Sequence, residues 1–234
     1  MFRIALILAV LAAFAAPGAA QVRMPQQDHG RSAPQADTVR HEKSGTAFFV
    51  NDLGALLTTR HMVEDCVGVI VSKEGSSLPA RVVAVSDRFD LGLIKVPRTL
   101  GIAAVFPRDV TTVANDMVFA SSYDKLAEMT QRGGTIANAT VSSSQEAGYL
   151  AIESDVTFGS SGAPVLDGRG VVEGVISRRT TITRVLAVGA AEAKAFLMRN
   201  GVRFNEDDSP QLAGGASRAN RAASISTRVT CLQN

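Results

Sequence analysis

This chain has few histidines and cysteines and almost no net charge, and each of these features argues against a class of function. Only three histidines and two cysteines occur in 234 residues. No His/Glu helix pair or cysteine cluster indicates a metal site. The formal net charge is +2, so nothing demands a nucleic acid partner. The apolar run at residues 4–16 is short for a membrane span, and no later run is long enough.

Residues 1–20 have the pattern of a secretory signal peptide. Arg3 precedes the apolar run, and Pro17, Gly18 and two alanines follow it. We therefore predict cleavage after Ala20 and export of the mature chain to the periplasm or the medium. Residues 21–43 are polar and contain prolines and a glycine, a composition that predicts a flexible N-terminal segment.

From residue 44 onward, short apolar runs alternate with turn residues, which is typical of an all-β sandwich or barrel. A helix is predicted at residues 190–200, because Ala193, Phe196 and Leu197 share a face. Residues 204–234 have the composition of a tail, in which the alternation at 225–231 indicates either a terminal strand or a disordered end. The predicted strands are 47–50, 55–59, 67–71, 81–85 and 91–96, then 117–121, 134–142, 149–152, 163–166, 171–177 and 183–188.

A glycine-rich turn at residues 157–166 leads into an apolar strand and could present the hydroxyl of Ser161. Gly159 and Gly162 allow tight bends, and the amides of Gly159 and Ser161 could then form an oxyanion hole. Taken alone, such a stretch is more often an ordinary loop.

Two further segments supply partners for this serine. His61 is the only histidine that follows an apolar strand, and Asp90 immediately precedes another one. A serine attacks a carbonyl when a base removes its proton and a carboxylate orients that base. The chain order His61, Asp90, Ser161 also argues against an α/β-hydrolase, in which the serine comes first.

Four blocks in this order resemble trypsin-like serine peptidases, and among these the bacterial HtrA-like branch, here without a PDZ domain. The blocks are Gly45-Thr46-Ala47-Phe48, Leu57-Thr58-Thr59-Arg60-His61, Asp90-Leu91-Gly92-Leu93 and Gly159-Ser160-Ser161-Gly162-Ala163-Pro164.

The resemblance implies two six-stranded antiparallel β-barrels with a cleft between them, at about residues 44–100 and 108–190. The peptidase domain would end at residue 203, after the helix. It also implies a serine endopeptidase that acts on polypeptides through an acyl-enzyme, with no cofactor; no oligomeric state is indicated.

Two departures from the family pattern favour an alternative function, a catalytically silent fold used for binding or signalling. Arg60 adds a charge beside the base, although we expect it to point to solvent. Ala163 replaces a second glycine, so its backbone should not need a positive φ.

The resemblance assigns the primary specificity pocket to Asp155 and Ser177. A buried carboxylate at Asp155 would select lysine or arginine, whereas HtrA-like members usually have a small residue there and prefer aliphatic side chains. The neighbouring Arg178 and Arg179 would disfavour a basic substrate.

The cysteine count is even in a chain expected to be exported, which indicates one disulfide between Cys66 and Cys231. Such a bond would hold the terminal strand beside the catalytic histidine. Two buried thiols are the competing interpretation.

Overall fold

The computed structural model describes residues 41–109, 112–132, 138–154, 159–214 and 216–234. The predicted signal peptide, most of the predicted flexible segment and Asp155 lie outside these ranges.

The elements in chain order are β1 (Glu42–Phe49), β2 (Ala55–Thr58), a 3-10 turn (Arg60–Met62), β3 (Gly68–Lys73), β4 (Ser76–Val85), β5 (Gly92–Lys95), β6 (Val105–Phe106), β7 (Met117–Val118), α1 (Tyr123–Gln131), β8 (Ala139–Ser142), β9 (Tyr149–Ser154), β10 (Pro164–Leu166), β11 (Val172–Arg179), β12 (Arg184–Gly189), α2 (Ala190–Arg199), β13 (Asn205–Glu206), α3 (Arg218–Ile225) and β14 (Ser226–Leu232).

The first barrel is closed and takes its sixth strand from the C-terminal end of the chain. Its strand order is β1-β14-β3-β4-β5-β2. β14 lies antiparallel to both neighbours, so that Val229 is opposite Gly45 on β1 and Val71 on β3. Because alternate residues of a strand share a face, the barrel interior is filled by one apolar set that includes Phe49, Leu56, Val71, Ile94 and Val229.

The second barrel is nearly closed. Its six strands follow the order β10-β11-β12-β9-β8-β7. A single bridge between Phe119 and Leu166 brings the two ends of this sheet together. Val118, Ile152 and Ile176 belong to its buried core. The prediction of an all-β, two-barrel fold is therefore confirmed.

The predicted helix is α2, and Ala193, Phe196 and Leu197 are its buried face as expected. No helix within the described ranges is long and apolar enough to cross a membrane.

The segment whose composition indicated a tail is built into the fold. β14 is the predicted terminal strand, and a short β13 pairs in parallel with β6. The helix α3, which the sequence analysis did not predict, joins these two strands. It begins with a capping box between Ser217 and Asn220, and the buried amine of Lys73 donates to the carbonyl of Ser226 at its C-terminal end, 2.8 Å away.

Candidate active site

His61 lies in the 3-10 turn that follows β2. The turn is anchored by Met62, which is buried in the interior of the first barrel. The neighbouring His61 is left with its side chain 47% exposed. A strand that ends in a tight, anchored turn thus holds the imidazole at the surface in a fixed position.

The carboxylate of Asp90 contacts His61 at two points. Its Oδ2 atom lies 2.9 Å from His61 Nδ1, and its Oδ1 atom accepts from the backbone N–H of His61 at 3.1 Å. Ser177 Oγ donates a third hydrogen bond to Oδ2 at 2.7 Å. Nδ1 therefore donates to Asp90, which leaves Nε2 as the basic nitrogen.

These contacts set the charge of Asp90. Burial alone would raise the pKa of this carboxyl, but the hydrogen bonds from His61 and Ser177 outweigh burial. The pKa of Asp90 consequently lies below its usual value, and the group is ionised at neutral pH.

The turn that carries Ser161 is shaped by two glycines with left-handed backbone. Gly159 has φ +84° and Gly162 has φ +83°. At Gly162 the constraint is also steric, since an added Cβ would lie 2.0 Å from the carbonyl oxygen of Thr46 and 2.4 Å from Thr58 Oγ1. The prediction that these glycines allow tight bends is confirmed.

Thr46 of the first barrel holds this turn, a role that sequence reasoning missed. Its backbone N–H donates to the carbonyl of Ser161 at 2.9 Å, and its Oγ1 donates to the carbonyl of Gly159 at 2.8 Å. Thr58 Oγ1 in turn donates to the Thr46 carbonyl at 2.8 Å. No motif in the sequence singles out these threonines for this purpose.

Ser161 and His61 line the same cavity, of about 490 Å³, together with Gly159, Ser177 and Arg179. The hydroxyl of Ser161 donates to the carbonyl of Ser177 at 3.4 Å, and His61 Nε2 lies 3.5 Å from Thr59 Oγ1. Within the described residues, no hydrogen bond joins Ser161 Oγ to His61. Catalytic hydrogen bonds are often long in free enzymes and tighten when substrate binds.

Ser177 was predicted to belong to the substrate pocket. It lines the cavity, as a pocket residue should, but its hydroxyl is directed to Asp90. The second predicted pocket residue, Asp155, is outside the described residues.

The two departures from the family pattern do not disturb this geometry. Arg60 Nη2 pairs with Glu64 at 2.7 Å, and Arg60 Nη1 donates to the carbonyl of Ser86 at 3.3 Å. The Arg60 side chain is partly exposed, as expected, and its charge is paired with Glu64 at the surface. Ala163 is fully buried and its backbone does not adopt a positive φ, as expected.

The two cysteines form a disulfide in the structure, with a Cα–Cα distance of 5.4 Å. The bond joins β14 to the loop that follows the His61 turn. Across the described ranges, no group of three or more His, Cys, Asp or Glu side chains is arranged to hold a metal ion.

Comparisons with known proteins show which family the chain belongs to. The model of the family described as "trypsin-like peptidase domain" matches residues 45–175. The chain is 30% identical over 205 residues to protein y4bJ of Sinorhizobium fredii, which covers 80% of this chain and 32% of that protein. It is 26% identical over 170 residues to mitochondrial serine protease HTRA2 of Drosophila grimshawi, with 68% of this chain and 40% of that protein covered.

A third relative is a probable periplasmic serine endoprotease, DegP-like, of Rhizobium meliloti, 27% identical over 155 residues. The match covers 62% of this chain and 30% of that protein. The chain thus spans only between 30% and 40% of the length of these three relatives.

Solved structures support the fold. The serine endoprotease from Yersinia pestis superposes with a TM-score of 0.57 at 21% identity, covering 67% of this chain and 57% of that one. An inactive serine-to-alanine mutant of Rv3671c from M. tuberculosis gives a TM-score of 0.52 at 21% identity, covering 69% and 85%.

Proposed function

Because this chain belongs to the trypsin-like peptidase domain family, we propose that it is a serine endopeptidase that uses Ser161, His61 and Asp90. The observation that carries this proposal is the pair of hydrogen bonds from His61 to the carboxylate of Asp90. They fix the tautomer and orientation of an exposed imidazole, and this imidazole shares a cavity with a serine on a glycine-bent turn.

In the first step, His61 Nε2 takes the proton of Ser161 as Oγ attacks the substrate carbonyl. Asp90 stabilises the resulting imidazolium. The amides of Gly159 and Ser161 are proposed to bind the oxyanion, since negative charge develops in front of the Ser161 turn.

The imidazolium then donates its proton to the leaving amine, and the acyl group stays on Ser161. A water molecule, deprotonated by His61, attacks this acyl-enzyme and releases the second product. Each step uses only groups that line the cavity or hold His61, and no cofactor is required.

For substrate preference, we propose that Asp155 and Ser177 belong to the primary specificity pocket. Arg178 Nη2 pairs with Glu146 at 2.6 Å, so much of the charge that would repel a basic substrate is neutralised. The proposed preference for lysine or arginine therefore rests on the carboxylate of Asp155. Export to the periplasm is also proposed, from the composition of residues 1–20 and from the name of the Rhizobium meliloti relative.

A fluorophosphonate probe tests the mechanism, because it forms a covalent bond only with an activated serine. The full chain should be labelled once, at Ser161, as read by mass. Ser161→Ala and His61→Ala should not be labelled, whereas Ser76→Ala, a serine at the exposed start of β4, should behave as wild type. A folded but unlabelled wild-type protein would overturn the proposal and favour a binding role.

A further inference from the structure

A second cavity, of about 260 Å³, lies on the outside of the first barrel and contains none of the proposed catalytic residues. It is bounded by β2, β4, β5 and the segment that follows α2. Ile94 belongs to the barrel interior, so its neighbours Leu93 and Lys95 face outward. Lys95 is five residues beyond Asp90, about 16 Å along extended chain. We name this cavity the basic groove, after Arg81, Lys95 and Arg203, which line it.

Two of these cations are direct neighbours across the sheet. Arg81 on β4 is paired in register with Lys95 on β5. Like charges directly opposite each other destabilise a sheet. In the second barrel, by contrast, Arg184 on β12 is opposite Glu153 on β9, and the two form an ion pair of 2.6 Å.

The positive charge of the basic groove is not compensated by the part of the chain that the structure describes. Arg81, Lys95 and Arg203 are all exposed, and none forms an ion pair with a described residue. No aspartate or glutamate is among the residues that line the groove. An anionic ligand would relieve the repulsion between Arg81 and Lys95 and would therefore bind favourably.

Apolar side chains lie next to these charges. Leu53 is 62% exposed and Val83 is 37% exposed at the groove. The pairing of β4 with β5 shifts between Val82 and Ala84, so Val83 is the extra residue of a β-bulge that redirects its side chain. Asn51 Nδ2 donates to the carbonyl of Arg203 at 2.9 Å and so holds the segment after α2 that forms one wall of the groove.

We propose that the basic groove binds a polypeptide segment that presents a carboxylate beside an apolar side chain. A guanidinium fork matches the two oxygens of a carboxylate, and both arginines can offer one. A groove of about 260 Å³ suits the end of a peptide better than a lipid acyl chain. The carboxylate can belong to a chain terminus or to an acidic side chain.

The test measures binding of fluorescent peptides by anisotropy, on the full chain carrying Ser161→Ala so that the probes are not hydrolysed. One peptide ends in Val-Leu with a free carboxylate, the second is its C-terminal amide, and the third is an amide with an internal glutamate beside the leucine. We expect the amide without glutamate to bind at least about tenfold more weakly than the first. If the third peptide binds, the groove accepts the carboxylate of an acidic side chain. If only the first peptide binds, the groove requires the carboxylate of a chain terminus.

Lys95→Glu supplies the decisive variant. The new carboxylate would pair with Arg81, so the protein should unfold at a higher urea concentration while its affinity for the free-acid peptide falls at least about tenfold. Lys125→Glu, at an exposed lysine of α1 outside the groove, should leave peptide affinity unchanged.

Three results would overturn the proposal. These are equal affinity for the acid and both amides, peptide affinity unaffected by Lys95→Glu, and binding to phosphatidylglycerol vesicles with none to any peptide. Labelling of Ser161 is measured separately in the wild type, so failure at the groove does not affect the proposed catalytic function.

Discussion

At Asp90, hydrogen bonding decides a competition with burial. Burial of the carboxylate disfavours its ionised form. Hydrogen bonds from His61 and Ser177 stabilise the ionised form by more than burial destabilises it. Since its pKa is lower in the folded chain than in the unfolded one, Asp90 stabilises the fold above the ordinary aspartate pKa of 3.8. This stabilisation is lost as pH falls toward the folded pKa.

Ser177→Ala removes one of these bonds without disturbing a large side chain. We expect the free energy of unfolding at neutral pH to fall by about 1 to 2 kcal/mol. The difference from wild type should shrink as pH falls below the ordinary aspartate pKa of 3.8 toward the lower pKa of folded Asp90. Urea unfolding at a series of pH values measures it, and a difference that is independent of pH would contradict this account of Asp90.

Substituting Gly162 and Gly75 by alanine distinguishes the cost of a steric clash from the cost of backbone strain. Both have positive φ, +83° and +79°, but a Cβ at Gly162 would meet Thr46 and Thr58, whereas a Cβ at Gly75 meets nothing within 4 Å. Gly75→Ala should cost about 1 kcal/mol in unfolding free energy, and Gly162→Ala more than about 3 kcal/mol. Equal costs, measured by thermal unfolding, would show that the turn relaxes freely.

Among the elements, β14 pairs with β1, so the last described strand lies beside the first. It fills the space between β1 and β3, and its Cys231 is bonded to Cys66, 165 residues away in sequence. Without β14 the barrel that holds His61 would have two unpaired strand edges.

Breaking the disulfide should therefore destabilise the protein strongly. In the chain-entropy model, closing a loop of this length contributes about 5 kcal/mol. Reduction should lower the urea midpoint of the wild type to that of the Cys66→Ala/Cys231→Ala double variant, which should not respond to reductant. An unchanged midpoint on reduction would contradict a stabilising role for the bond.

The sequence predicts those elements whose pattern repeats or whose residues have a special backbone requirement. The strands around His61 and Asp90 follow from short apolar runs with turn residues between them, and Gly159 and Gly162 mark the serine turn. α3 was missed because its buried face contains two arginines, two small alanines and only one large apolar residue, Ile225, within a polar, Ser- and Gly-rich stretch. α1 was also not predicted: it presents only Tyr123, Leu126 and Met129 to the core, and of these only Leu126 is fully buried.

For the whole molecule, contacts between distant segments determine what the sequence could not reveal. The hydrogen bond from Thr46 to the Ser161 turn joins residues 115 positions apart in sequence (161 minus 46). The contact between Ser177 and Asp90 spans 87. Such pairings depend on how the strands are arranged in space, and no local pattern encodes them.

The site is thus assembled from both barrels. His61 and Asp90 come from the first barrel, and Ser161 and Ser177 from the second. β14 closes the first barrel by pairing with β1 and β3. The completeness of the barrel that carries His61 and Asp90 therefore depends on β14.

The most direct test of this account compares the rate of fluorophosphonate labelling at Ser161 in the wild type and in Asp90→Asn. The substitution keeps the size of the side chain but favours the wrong tautomer of His61. We expect labelling of a folded Asp90→Asn protein to be slower by roughly three to four orders of magnitude. Equal rates would mean that Asp90 does not activate Ser161 through His61, and would contradict the proposed triad.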